Sequence, residues 1–144
     1  MNINRYNLRV YGLLRNEDKI LITHENRAGM IMTKFPGGGL EMGEGLADCL
    51  VREFEEELKV TVSVGDLFYV NEFMQVSKFN AADQLISFYF WVHIEDLEEI
   101  PTQEKIGELK KAQQIFQWKE ISKLKPENFT FPIDKIVSER LANS

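Results

Sequence analysis

Three glutamates, Glu53, Glu56 and Glu57, stand at i, i+3 and i+4, a spacing that brings side chains to one face of a helix. Like charges so placed repel by about 0.2–0.5 kcal/mol per pair in water, and a multiply charged cation turns that repulsion into binding. With no Cys or His beside them, their carboxylate oxygens select a hard ion, Mg2+ or Mn2+. The other reading of the trio is a solvated acidic helix face, and the three residues alone do not separate the two. Their surroundings add to the first. Gly37, Gly38 and Gly39 precede the helix, where bare backbone N–H and C=O groups can come close to a ligand. Arg52 is adjacent to Glu53 and four residues before Glu56, so its fork of donors can hold a carboxylate in place. Glu44, near the glycines, is a second partner for it.

These groups need a helix and strands to position them. From Leu46 to Leu58 the apolar residues Ala47, Leu50, Val51, Phe54 and Leu58 form the stripe of an amphipathic helix. Before it, Leu8–Arg15 and Lys19–His24 read as strands around the turn Asn16-Glu17-Asp18. Ile31–Phe35 reads as a third strand, ending at Pro36 and the glycine turn. After the helix, Thr61–Val76 is β-rich, with a break expected at Gly65-Asp66. Gln84–Ile94 follows, alternating an apolar face (Ile86, Phe88, Phe90, Val92, Ile94) with a mixed face (Leu85, Ser87, Tyr89, Trp91, His93) that would look into a site. Glu95–Lys111 is acidic and polar, a loop with at most a short helix. A brief strand is expected at Ile115–Trp118, then a helix through Ile133, Ile136, Val137 and Leu141 opening at Pro132. Strands mixed with at least two helices indicate an α/β or α+β sandwich.

Composition bounds the function. The chain has 144 residues, 44% of them apolar, which suits a single domain over residues 1–144. Its formal charge of −6 argues against an unassisted grip on a nucleic-acid polymer, so a polyanion needs a local cation or a metal. No apolar stretch suits a bilayer span, and the first ten residues lack a secretory segment. One cysteine, Cys49, forms no internal disulfide, and two separated histidines offer no zinc site. The expectation is a cytoplasmic protein without membrane association.

The pattern Gly38, five residues, Glu44, seven residues, Arg52-Glu53, Phe54, Glu55, Glu56-Glu57, Leu58, Lys59, Val60 resembles the box of the Nudix hydrolases. Lys59 stands where that pattern has glycine. The preceding hairpin, Phe35-Pro36-Gly37-Gly38 and the later strand–strand–helix order are also similar to the family, so the resemblance spans Leu8 to Leu141. It implies an α/β/α sandwich with a central mixed sheet. The activity implied is Mg2+-dependent hydrolysis, with Mn2+ as a substitute, of a nucleoside diphosphate linked to another group, by water attack on phosphorus. By this resemblance Glu53 and Glu57 are metal ligands, Glu56 is a ligand or the base, and the Gly37 or Gly38 carbonyl adds a ligand. Arg52 and Glu44 orient them. In some relatives the base lies on a later loop, where Glu95, Asp96, Glu98, Glu99, Glu104 and Glu108 are candidates. Gln75–Lys78 holds neither the proline common in ADP-ribose hydrolases nor the tyrosine of dinucleoside-polyphosphate hydrolases. Nucleoside triphosphates, oxidised ones included, and nucleotide sugars remain open.

Elsewhere, Gly38, Gly39, Arg27 and Tyr89 are candidate substrate contacts. Tyr89 and Trp91 can stack on a base or pack in the core, and Arg15, Arg27 and Lys34 can reach phosphate or stand solvated. His24 and His93 have no spacing for catalysis and read as structural; Cys49 reads as helix packing. The expected partner is a small nucleotide derivative, and a homodimer is compatible with the chain. Nudix-like modules that bind a nucleotide without cleaving it are the alternative class. They usually lose box carboxylates, which Glu53, Glu56 and Glu57 retain. Isomerase chemistry on isoprenoid diphosphates is set aside, because Cys49 lies on the box helix.

Overall fold

A computed structural model describes residues 2–144. Among them are seven strands and two α-helices: β1 (Arg5–Asn16), β2 (Lys19–Arg27), β3 (Met30–Lys34), β4 (Gly37–Gly39), α1 (Leu46–Leu58), β5 (Ser63–Val70), β6 (Asp83–His93), β7 (Gln114–Glu120) and α2 (Pro132–Ala142). The class is α+β, a mixed sheet with two helices. The chain forms two compact units, one from the segment up to Gly12 with Gly37–Ile94, the other from Leu13–Pro36 with Glu95–Ser144. β1 contributes residues to both.

In the first unit, the glycine run is a strand and not the expected turn. β4 pairs antiparallel with β1, placing Arg9 opposite Gly39, Val10 opposite Gly38 and Tyr11 opposite Gly37. Gly37 has φ +149°, and a Cβ there would overlap the Val10 carbonyl oxygen, so this strand needs glycine. α1 buries Cys49, Leu50, Phe54 and Leu58. The stripe follows the four-residue line from Leu50 through Phe54 to Leu58, and Cys49 flanks it on the side of β4. Val51, expected in the core, is 39% exposed, and Ala47 is exposed as well. Phe54 packs where a side chain at residue 12 would be: a Cβ on Gly12 would lie 2.5 Å from the Phe54 ring.

β5 and β6 pair antiparallel from Ser63 opposite His93 to Val70 opposite Phe88. The break expected at Gly65-Asp66 is absorbed inside the ladder as a register shift between Val64 and Leu67, an irregularity that keeps the strand paired. The mixed face of β6 is closed at its centre, while His93 at its end is exposed. Ser87 is buried, Tyr89 is 1% exposed, and the Tyr89 ring stacks on Tyr11 with centroids 5.1 Å apart and planes 27° apart.

The second unit centres on β2, which pairs antiparallel with the end of β1, with β3 and with β7. The β2–β3 loop is Ala28-Gly29, both at positive φ (52° and 84°), as a two-residue hairpin turn requires. Phe35 and Phe129 stack 4.7 Å apart within a core that includes Leu21, Ile22, Met32, Ile133 and Val137. Pro132 opens α2. The acidic segment after β6 contains only a short 3-10 turn at Leu97–Glu99. His24 is structural, as its spacing suggested. Its Nε2 donates to Gln117 Oε1 at 2.9 Å, Nδ1 accepts from Thr33 Oγ1 at 2.8 Å, and burial lowers its pKa.

Candidate active site

The first unit assembles the box around Arg52. Gly45, the residue before α1, is extended, and its N–H donates to Asp48 Oδ2 at 2.8 Å, which fixes the start of the helix. At the other end Lys59 adopts the left-handed conformation, φ 58° and ψ 34°, its N–H donating to the Glu55 carbonyl at 3.1 Å. This is the helix stop that the box normally assigns to glycine. Between these ends, Arg52 and Glu53 are half-buried on the side of β4, while Glu56 is open to solvent.

Every nitrogen of the Arg52 guanidinium is engaged. Nε and Nη2 grip both oxygens of Glu44, at 3.0 and 2.7 Å; Nη2 also donates to the Gly39 carbonyl at 3.0 Å. Nη1 donates to Glu53 Oε1 at 3.0 Å and, more weakly, to Glu56 Oε2 at 3.4 Å. Glu41 approaches Nε at 3.6 Å, and its own N–H donates to Glu44 Oε1 at 2.9 Å. The bidentate grip of Arg52 on Glu44 holds that carboxyl down at about 2, and it raises the Arg52 guanidinium pKa in return. One cation thus lies within 4 Å of four carboxylates, those of Glu41, Glu44, Glu53 and Glu56. The surplus is negative.

A surplus of hard oxygen donors, with no nitrogen or sulfur among them, fits a divalent hard cation. A Cβ on Gly38 would overlap the Glu53 carboxylate, so glycine at 38 leaves the space this carboxylate occupies. Among the described residues no three His, Cys, Asp or Glu side chains are gathered into a ready-made cage. Glu53 and Glu56 each accept from Arg52 Nη1 instead. The Cys49 thiol sits behind the network, 3.6 Å from the Gly39 carbonyl, and burial is the first cause of its pKa being pushed up to about 12.

Of the residues singled out from sequence, Gly37, Gly38, Gly39, Glu44, Arg52, Glu53, Glu56 and Glu57 lie in this one unit, on β4, α1 and the segment joining them. Arg27 does not. It is exposed at the end of β2, opposite Met30, in the second unit, where Lys34 also lies, 3.7 Å from Glu25. The acids from Glu95 to Glu108 belong to that unit as well. Tyr89 is in the site's unit, but its burial against Tyr11 gives it a packing role and leaves no exposed face for a base. Two residues were missed. Glu41 carried no signal beyond lying three positions before Glu44. Arg9 was detectable only through its strand pairing with the glycines.

The chain belongs to the NUDIX family: the NUDIX domain model matches residues 5–139. A relative from Escherichia coli (strain K12) described as 8-oxo-dGTP diphosphatase is 33% identical over 84 residues, 56% of this chain and 60% of that protein. The chain therefore matches less than two thirds of that relative's length. The fold is similar to the MutT protein from Methanosarcina mazei Go1, with TM-score 0.66 and 20% identity, covering 97% of this chain and 95% of that one. It is also similar to the MutT NUDIX hydrolase from Burkholderia pseudomallei, with TM-score 0.66 and 16% identity, covering 94% and 98%.

Proposed function

We propose that this protein hydrolyses the diphosphate linkage of a nucleoside diphosphate joined to another group, with Mg2+ or Mn2+ held by Glu53, Glu57 and a backbone carbonyl of Gly37 or Gly38, and Glu56 serving as a further ligand or as the base. The observation that supports it most is the surplus of carboxylates around Arg52, on a helix whose box carboxylates are intact. When bound, the divalent cation supplies the positive charge that a pyrophosphate needs to approach a protein of net charge −6, and it stabilises the charge that develops on the phosphoryl oxygens. Arg52 holds Glu44 and Glu53 in fixed orientations, so those carboxylates need not reorganise when substrate arrives. Glu56 is the most accessible of the box acids that Arg52 touches, 57% exposed, with only Oε2 near the guanidinium. As the base, its Oε1 would take up the proton of the attacking water.

Because the family is shared with a relative described as 8-oxo-dGTP diphosphatase, nucleoside triphosphates with oxidised bases are the first substrates to test. Ordinary triphosphates, nucleotide sugars and ADP-ribose follow. The deciding experiment is that panel, with phosphate, pyrophosphate and mononucleotide release scored separately, in Mg2+ and in excess EDTA. Turnover of at least one compound in Mg2+, and none in EDTA, is expected. Full turnover in EDTA would remove the metal from the reading. Tight nucleotide binding with no turnover at all would instead make the protein a nucleotide-binding module.

A further inference from the structure

Arg52 is spent on carboxylates and a carbonyl, so it has no N–H left for an incoming anion. A second guanidinium lies next to the same glycines. Arg9 on β1 stands directly opposite Gly39 on β4, and a Cβ on Gly39 would be 3.4 Å from Arg9 Nη1. Among the described residues Arg9 makes one side-chain hydrogen bond, Nε donating to the Tyr11 hydroxyl at 3.1 Å, and no ion pair within 4 Å. Among the described residues Nη1 and Nη2 have no hydrogen-bond partner.

The guanidinium is nevertheless held in place. It lies 5.8 Å from the Tyr11 ring centroid. Tyr11 is buried and stacks on Tyr89 at 5.1 Å, and Tyr89 contacts Tyr69 at 6.3 Å. A half-buried arginine fixed at Nε and through its neighbouring ring, with both terminal nitrogens available, is preorganised to grip two oxygens of one anion. Burial opposes its charge, while the Tyr11 oxygen and the Glu53 carboxylate favour it.

We propose that Arg9 is a substrate-binding residue that grips a non-reacting phosphate of the nucleotide derivative over Gly39. This rests on the hydrolase reading above. Side chains alternate faces along a strand, so Glu53 meets β4 at Gly38 from the α1 face and Arg9 meets it at Gly39 from the other face. Gly39 is where the two sides join: its carbonyl accepts from Arg52, and a phosphate chain crossing the glycine backbone there passes from the carboxylate side to Arg9. Phosphate fits better than a base, because an acidic chain needs a local cation precisely where a polyanion must come close to carboxylates.

The test uses the full chain with Arg9→Gln and Arg9→Lys, and inorganic pyrophosphate with Mg2+ as the binding probe, read by calorimetry. Steady-state kinetics on whichever compound the wild type turns over are run beside it. Losing a charge-assisted grip should weaken pyrophosphate binding and raise KM by about 10- to 100-fold in Arg9→Gln, with kcat nearly kept. Arg9→Lys should recover part of the affinity, since it returns the charge without the fork. Unchanged pyrophosphate affinity in Arg9→Gln overturns the proposal, and so does a fall in kcat at constant KM, the signature of a residue that only positions Glu53. Should Arg9→Gln not fold, Arg9→Lys carries the decision: affinity equal to wild type overturns, and a several-fold loss supports. A wild type that binds pyrophosphate but hydrolyses nothing overturns the hydrolase reading, and the Arg9 comparison is still read by binding.

Discussion

The proposed reading gives neighbouring glutamates on α1 unequal work. Glu56 and Glu57 share a helix face with Glu53, whereas Glu55 is exposed and points elsewhere. Glu56→Gln and Glu57→Gln should each lower kcat by roughly 10²-fold or more, and Glu55→Gln should leave it nearly unchanged. Equal damage from Glu55→Gln, measured under the same Mg2+, would place the metal face wrongly. Glu44 gives a pH prediction. Its carboxyl is held at about 2 against an ordinary 4.5 by the Arg52 guanidinium and the Glu41 N–H. A depressed folded pKa means that the unfolded chain binds the proton first as pH falls. The stability Glu44 contributes is therefore complete above the ordinary value and lost on the way down to about 2. Denaturant midpoints between those limits should fall steeply in the wild type and less steeply in Glu44→Gln; parallel slopes would show that the Arg52 grip does not persist in solution. At this scale the sequence was readable where spacing encodes a shared face, as for Glu53, Glu56 and Glu57. It was mute where proximity comes from strand pairing, as for Arg9 and Gly39.

Helix α1 was legible to its last residue, because a stripe of apolar residues at helical spacing is a local signal. The side of that line was not, and Cys49 rather than Val51 completes the buried stripe because β4 lies on the Cys49 flank. Gly37–Gly39 looked like a turn since glycine punctuates most chains; only the partner strand β1 reveals that the backbone there is extended and paired. The end of α1 carries a stability prediction. Lys59 holds a left-handed conformation that a side chain makes costly by about 1–2 kcal/mol. Lys59→Gly relieves it and gives back about 0.4–1 kcal/mol through a freer unfolded chain. The net should lie between neutral and about 1.6 kcal/mol more stable, with kcat within a few-fold. Comparison of denaturant midpoints decides it. A clear loss of stability would mean that the Lys59 Nζ contact with the Glu56 carbonyl, at 3.2 Å, outweighs the strain.

For the molecule as a whole, the proposed cation site predicts a coupling of folding to divalent ions. A cation that binds only the folded chain adds about 2.7 kcal/mol at a hundredfold excess over Kd, or roughly 5–10 °C in Tm for a chain of this size. Mg2+ or Mn2+ should therefore raise the wild-type Tm, and Glu57→Gln should blunt the rise; equal shifts in both proteins would locate the binding elsewhere. Buried behind the same carboxylates, Cys49 has a further consequence. A thiol pushed up to about 12 and shielded by β4 and α1 is silent to disulfide reagents until the helix lifts away from the glycine strand. The protein thus carries its own gauge: the modification of this single sulfur reads how readily α1 opens, without any label having to be introduced.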